Sequence, residues 1–445
     1  MSRKNLVLPV ILTSLLAVCV SGAWAADKLK EVVLLVEAST FATGTADEAV
    51  AKLKAEATQK GVDADTQTRD LWRANFISKF AEIFSRSGYS IKGEDWGWGE
   101  PLALKEQNGF LAKSGPDVVI GETQSNGFAV HGYFEPFPAW LDQKVRQLCV
   151  KGSYSAMEIK GKIYGLAAYP GVSALFWNKA LLRKAGLDPE KGPASWDEWL
   201  SMANKITTAG KGEFWGGGTY AGPNLGGALR LGPFMMMAGG GFVDANNNID
   251  FANPGNIKAF EFIRALNKNT PTGIVGAPQE GPWWDAFMQQ KIAFVVDGPW
   301  RMESAKAAGI ETGYSTLPKP KGGIDANVTI GVVFYSVPTY AKNKEGGFRL
   351  IETLIDPALQ QMIVDFNQRS PVLKSYLNDK KFMSSYLATF YMGLQGQVSC
   401  LPTFKGNQSA KIWDVFCQNM TRAIVTDENI GTILANTKSI AEKMQ

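Results

Sequence analysis

Four hundred and forty-five residues, 45% hydrophobic and 20% charged, give enough chain for about three domains of ordinary size or two large ones. The net charge of +4 comes from 46 basic and 42 acidic residues spread along the chain, without the clustered Lys and Arg that a nucleic-acid surface needs, so no nucleic-acid partner is expected. A single histidine, His131, leaves little room for a Ser-His-Asp triad or an imidazole zinc site, and neither metal nor cofactor is expected.

Residues 1–25 read as Arg3 and Lys4, an apolar run from Leu6 to Val20, and Ala23-Trp24-Ala25 before Ala26-Asp27. That is the pattern of an export signal cleaved after Ala25. The run is shorter than the roughly 20 residues needed to span a bilayer, so the mature chain is expected to be periplasmic and not membrane-spanning. A lipid anchor at Cys19 is the competing reading, disfavoured by the bulk of Val18. Cys149, Cys400 and Cys417 remain after cleavage. They allow either one disulfide, with Cys400 and Cys417 closing the shortest loop, or three buried thiols.

Short β-branched runs follow at Val32–Val36, Asp117–Ile120, Ile163–Ala168, Ile292–Val296 and Gly331–Val337. Their continuous hydrophobicity suits strands covered on both faces. Between them lie helical signals. Trp72, Phe76, Phe80 and Phe84 recur every four residues; Lys179–Ala185 stops at Gly186-Leu187 with Pro189 beyond; Ser195-Trp196-Asp197-Glu198 reads as a capping box. The predicted class is α/β.

Glycines crowd 209–241 without a phosphate-binding motif, and mark close approach of backbone to another element or a ligand. Asp244-Ala245-Asn246-Asn247-Asn248-Ile249-Asp250 has oxygen ligands at calcium-loop spacing. It lacks the sixth-place Gly and twelfth-place Glu of a calcium loop, and reads as a polar hairpin turn.

The aromatic residues carry the functional reading. In Glu94-Asp95-Trp96-Gly97-Trp98-Gly99-Glu100, an extended chain puts both indoles on one side, beside acids that suit a sugar's hydroxyls. Trp283 and Trp284 are adjacent on a predicted helix, about 100° apart, so one is expected to leave the core. Strand Ile292–Val296 runs into Asp297-Gly298-Pro299-Trp300, placing Asp297 and Trp300 at the sheet edge where α/β folds bind ligands. Near the end of the chain, Trp413 stands about 100° off the stripe formed by Ile412, Phe416 and Met420. Glu94, Asp95, Glu100, Glu122, Asp285 and Asp297 are the acids that could pair as in a glycoside hydrolase, and none sits in a recognisable catalytic signature.

Several motifs in this order resemble the carbohydrate-binding extracellular solute-binding proteins of ABC importers, the family that includes the maltose-binding protein. They are Ser114-Gly115-Pro116-Asp117-Val118-Val119, Gly161-Lys162-Ile163-Tyr164-Gly165-Leu166, Leu175-Phe176-Trp177-Asn178-Lys179, Ser195-Trp196-Asp197-Glu198, Lys291 to Trp300, Leu317-Pro318, Gly331-Val332-Val333 and Ser409 to Trp413. The resemblance implies two α/β lobes joined by crossing hinge strands, closing over a sugar that is then passed to a membrane permease. It implies lobe 1 over 26–172 with about 326–375, and lobe 2 over about 173–325 with 376–445, in a monomer that is not an enzyme.

Carried over by position, Trp300 and Trp413 stack on sugar and Tyr220 lies near a family aromatic. Glu122 and Gln124 follow the Pro-Asp strand, and Ser39 and Thr40 follow the first strand. Tyr169, Gly331 and Arg369 complete the expected ligand-binding set. Residues Thr43 to Arg69 look like an added helical insertion. A secreted carbohydrate-active enzyme, or a binder of a non-sugar solute on the same scaffold, is the alternative.

Overall fold

The computed structural model describes residues 29–36, 40–60, 68–97, 100–122, 124–329, 333–366, 369–405 and 408–445. The expected export segment with Cys19, together with Ser39, Trp98 and Gly331, lies outside the described residues, as does the side chain of Gln124.

Two separate sheets organise the chain. In the first, strand Lys30–Leu35 pairs in parallel with Tyr89–Glu94, which pairs on its other side with Gly44–Thr45. Leu34 bridges Val118 and so joins strand Val119–Gly121, which pairs antiparallel with Phe334–Ser336 and through it with Leu166–Ala167. The Pro-Asp motif has a structural role here. The buried carboxylate of Asp117 accepts from the Val33 and Asn343 N–H groups at 3.0 and 2.8 Å, stapling the first strand to the start of the helix Lys344–Leu354.

The four-residue repeat from Trp72 becomes the helix Arg69–Ser85, with Trp72, Phe76, Phe80 and Phe84 all buried. The segment expected as an insertion forms the helix Ala46–Gln59 against it. This helix opens on a capping box in which the Thr45 side chain accepts from Glu48 N–H and the Glu48 carboxylate accepts from Thr45 N–H.

The second sheet runs Thr312–Ser315, Ala174–Asn178, Ile292–Asp297, Trp215–Gly217 in spatial order. Local signals resolve as the residue types dictate. The helix Lys179–Lys184 ends with Gly186 at φ +66°, and Leu187 N–H donates to Leu182 O at 3.0 Å, the left-handed cap that glycine permits. Ser195 caps the helix Trp196–Gly210, while Glu198 reaches back to the Ala194 N–H at 2.7 Å. The crowded glycines serve other elements: a Cβ on Gly216 would fall 2.4 Å from Ala203 backbone, and one on Gly217 2.2 Å from Phe294 O. Residues 244–248 form the polar turn, with Asp244 Oδ1 accepting from the Asn246 and Asn248 N–H groups at 2.8 Å and Val243 bridging Ile249.

Among the described residues, three segments lead from one sheet toward the other. The chain passes from Leu166–Ala167 to Ala174–Asn178, from Thr312–Ser315 through Ala326–Val328 to Phe334–Ser336, and from the helix Pro357–Phe366 through 369–373 toward the helix Leu387–Gly393. Two buried amides lash these crossings together. Asn327 Nδ2 donates to Ser173 O at 2.8 Å and its Oδ1 accepts from Ser173 N–H at 3.2 Å. Gln360 Nε2 donates to Ala168 O at 2.9 Å while its Oε1 accepts from Val372 N–H at 2.9 Å. Buried polar groups of this kind must be paired, which fixes the register of the crossings.

Candidate functional site

The site is built around the turn that follows strand Ile292–Asp297. Pro299–Arg301 forms one 3-10 turn and Met302–Ala307 the helix after it. Gly298 is required because the Trp300 ring lies across its backbone: a Cβ there would sit 2.0 Å from the ring. Asp297 precedes it, 1% exposed. Its Oδ1 accepts from Gly298 N–H at 2.8 Å and from Arg230 Nη2 at 3.2 Å; its Oδ2 accepts from Arg301 Nε at 3.1 Å.

Trp300 itself is half-buried. The guanidinium of Arg369 stands 5.0 Å from its ring centroid, within range of a cation–π contact. Arg369 follows the helix Pro357–Phe366, which packs on the helix Arg69–Ser85 beside the first sheet, whereas Trp300 follows a strand of the second. Around it lies a cleft of ≈ 810 Å³ lined by Arg69, Trp300, Gln361, Asp365, Phe366, Arg369, Asp379, Lys381, Phe382 and Tyr386. Phe366 is held by stacking on Trp72 at 5.6 Å, and Tyr386 by an edge contact with Tyr314 at 6.2 Å. Aromatic faces beside charged and amide groups are the surfaces a polyhydroxylated ring can use.

Glu122 follows strand Val119–Gly121. Burial pushes its carboxyl up to about 7, with the positive charge of Arg369 pulling the other way. Among the expected ligand residues, Arg369 therefore stands next to both Trp300 and Glu122.

Asp297 lies beneath the Trp300 turn, and several of the other expected residues that the structure describes are buried in packing. Trp413 is 8% exposed, its ring edge-on to Phe242 and Phe416 and tilted on Phe404, with Nε1–H donating to Pro402 O at 3.3 Å. The expectation that it stands off the apolar stripe is corrected: Phe242 and Phe404, from loops outside its helix, widen the buried face. Trp283 and Trp284 are likewise both buried, at 1% and 7%, because the short helix Gly281–Met288 is enclosed on two sides; Trp284 stacks on Phe287 under the Arg301 guanidinium.

Trp96 packs over Gly109 and Gly115. The extended chain expected there is replaced by a turn in which Gly97 takes φ +90° and its N–H donates to Asp95 Oδ1 at 2.7 Å. Tyr220 is fully buried, its hydroxyl donating to Ala277 O at 2.8 Å. Tyr169 is buried at the crossings with its hydroxyl paired to that of Tyr335, and Thr40 is buried. Cys149, Cys400 and Cys417 are buried free thiols, pushed up to about 12 by desolvation.

Sequence reading missed Arg230, the one charge within Leu229–Met237, and, Arg369 apart, the cleft-lining residues between 361 and 387. The isolated Arg in an apolar run was the available signal for the first. No three His, Cys, Asp or Glu residues gather at metal-binding spacing among the described residues.

A family profile described as bacterial extracellular solute-binding protein matches residues 64–361, about two thirds of the chain. The chain belongs to the bacterial extracellular solute-binding proteins. Among the relatives of this solute-binding protein is the galactooligosaccharide-binding protein of Bacillus subtilis (strain 168), 27% identical over 288 residues, spanning 62% of this chain and 65% of the relative. The maltotriose-binding protein of Pyrococcus abyssi is 24% identical over 293 residues, spanning 60% and 57%. These matches thus cover less than two thirds of the relatives' own length. Its fold matches that of the sugar-binding protein MalE from Xanthomonas citri with a TM-score of 0.70 at 19% identity, over 93% of this chain and 97% of that one. A cyclo/maltodextrin-binding protein complexed with maltotetraose aligns equally well, TM-score 0.70 at 18% identity over 94% and 98%. The architecture is that of the two-lobed periplasmic sugar-binding proteins.

Proposed function

We propose that this protein is the substrate-binding component of an ABC import system, capturing an oligosaccharide between its lobes and delivering it to a membrane permease. The observation that carries the reading is the half-buried indole of Trp300 facing Arg369, which also neighbours the half-buried Glu122. The names of the relatives, which bind galacto- and malto-oligosaccharides, and a cleft of ≈ 810 Å³ favour a ligand of several rings over a monosaccharide. Lobe 1 is assigned to 26–172 with about 326–375, lobe 2 to about 173–325 with 376–445, and the protein is assigned to the periplasm as a monomer.

Such a site performs no chemistry on its ligand. A sugar ring replaces the Arg369 guanidinium on the indole face, and its hydroxyls engage amide and charged groups of both lobes. Those contacts exist together only when the lobes are shut, so the ligand shifts the population toward the closed form by its differential affinity. The Asn327 and Gln360 staples let the lobes turn about the crossings without losing register.

The test is a thermal-shift screen of the mature chain against maltotriose, maltotetraose, galacto-oligosaccharides, monosaccharides and polyols. A true ligand at 100 times its Kd stabilises the fold by about 2.7 kcal/mol. The reading requires the largest shifts from oligosaccharides and unchanged ligand on chromatography after incubation. Hydrolysed products would instead mark an enzyme.

A further inference from the structure

We infer that Arg230, which lies outside the cleft, is the positioning residue that fixes the Trp300 indole for stacking; the inference rests on the ligand role proposed for Trp300. Arg230 is 1% exposed, on the helix Leu225–Met237. Burying a guanidinium costs several kcal/mol before its partners are counted, and here the partners are numerous. Nη1 donates to Glu280 Oε1 at 2.8 Å and Gly226 O at 3.1 Å; Nη2 donates to Glu280 Oε2 at 2.9 Å and Asp297 Oδ1 at 3.2 Å; Nε donates to Val296 O at 3.4 Å. The ring of Tyr220 closes the remaining face at 5.8 Å.

The consequence lies in how one carboxylate is shared. Asp297 Oδ1 takes Arg230 and the Gly298 N–H, while Oδ2 takes Arg301 Nε. Both ends of the turn from Gly298 to Arg301 thus hang on Asp297, and Arg230 anchors Asp297 to the lobe interior. Arg301 is held a second time, over the Trp284 ring at 4.9 Å. Trp300 is the residue between these two fixed points, with its ring pressed on Gly298. Apolar side chains would fill this interior at similar or better stability. What the planar, bidentate fork adds is direction, and a stacking platform must be held to about half an ångström.

The experiment needs no ligand. 5-Fluorotryptophan is incorporated into the full mature chain, and the fluorine lines of Trp300, Trp177 and Trp413 are assigned with single Trp→Phe variants. Ligand-free Arg230→Met and Arg230→Lys are then compared with the parent. The expected result is a shifted and broadened Trp300 line in both, larger in Arg230→Met, with the Trp177 and Trp413 lines of the same lobe unmoved. If Arg230→Met fails to fold, Arg230→Lys carries the test, since it keeps the charge and loses the fork. An unchanged Trp300 line in a folded variant overturns the inference, as does common movement of all three lines, which would mean general loosening. Failure of the ligand reading itself would show elsewhere, as unaltered sugar affinity in Trp300→Ala.

Discussion

Trp300→Ala is the perturbation that separates binding from folding. The indole is half-buried, lying on Gly298 and under Arg369, so its removal leaves the interior of the lobe closed and opens no core cavity. A sugar ring covering one indole face removes on the order of 100 Å² of apolar surface from water, worth about 2.5 kcal/mol at 25 cal/mol per Å². By the affinity arithmetic that is roughly a 70-fold rise in Kd. Isothermal calorimetry with the oligosaccharide giving the largest thermal shift reads it directly, alongside a melting curve of the ligand-free variant. The reasoning requires the affinity loss with a change in Tm of no more than a few degrees. A variant that binds as tightly as the parent would refute the assignment of Trp300. A variant that melts far lower would refute the claim that the residue is not structural.

Gly298→Ala places a methyl 2.0 Å from the Trp300 ring at an ordinary negative φ, so the ring must move; ligand affinity is expected to fall toward that of Trp300→Ala in the same calorimetric assay. Glu122 is held up to about 7 by burial, above its ordinary 4.5, so its ionisation costs the folded state more as pH climbs from about 4.5 to 7 and no further beyond. Glu122→Gln is therefore expected to raise Tm relative to the parent at pH 8 and to lose that advantage by pH 4.5, as melting curves across the range will show. Gln360→Leu keeps the volume but strands Val372 N–H, Ala168 O and Leu354 O at the buried crossings. At about 1–3 kcal/mol for each buried group left unpaired, denaturant unfolding should show a loss of several kcal/mol.

The sequence made the scaffold legible wherever the signal was local. Trp72, Phe76, Phe80 and Phe84 needed only their own spacing to declare a buried helix face, and Gly186-Leu187 its own cap. Trp300 was readable for the same reason: a buried strand running into Gly-Pro leaves the next aromatic at the sheet edge. Trp413 was not, because the residues that bury it, Phe242 and Phe404, lie outside its helix and no periodicity within one helix reports them. Trp96 and Gly97 show a second limit. A short side chain, Asp95, captured the Gly97 N–H and turned the chain where alternation assumed extension. Apart from Arg369, the cleft-lining residues between Gln361 and Tyr386 were invisible because only the tertiary fold brings them to Trp300, and Arg230 was hidden inside a run whose apolar character was the obvious feature.

Closure about the crossings is the claim on which everything else depends, and small-angle scattering tests it most directly. Profiles of the mature chain are recorded alone and saturated with the best oligosaccharide from the thermal-shift screen. The account predicts a smaller radius of gyration in the saturated sample, with Trp300→Ala failing to contract at the same ligand concentration. Identical profiles with and without a ligand that demonstrably binds would contradict it.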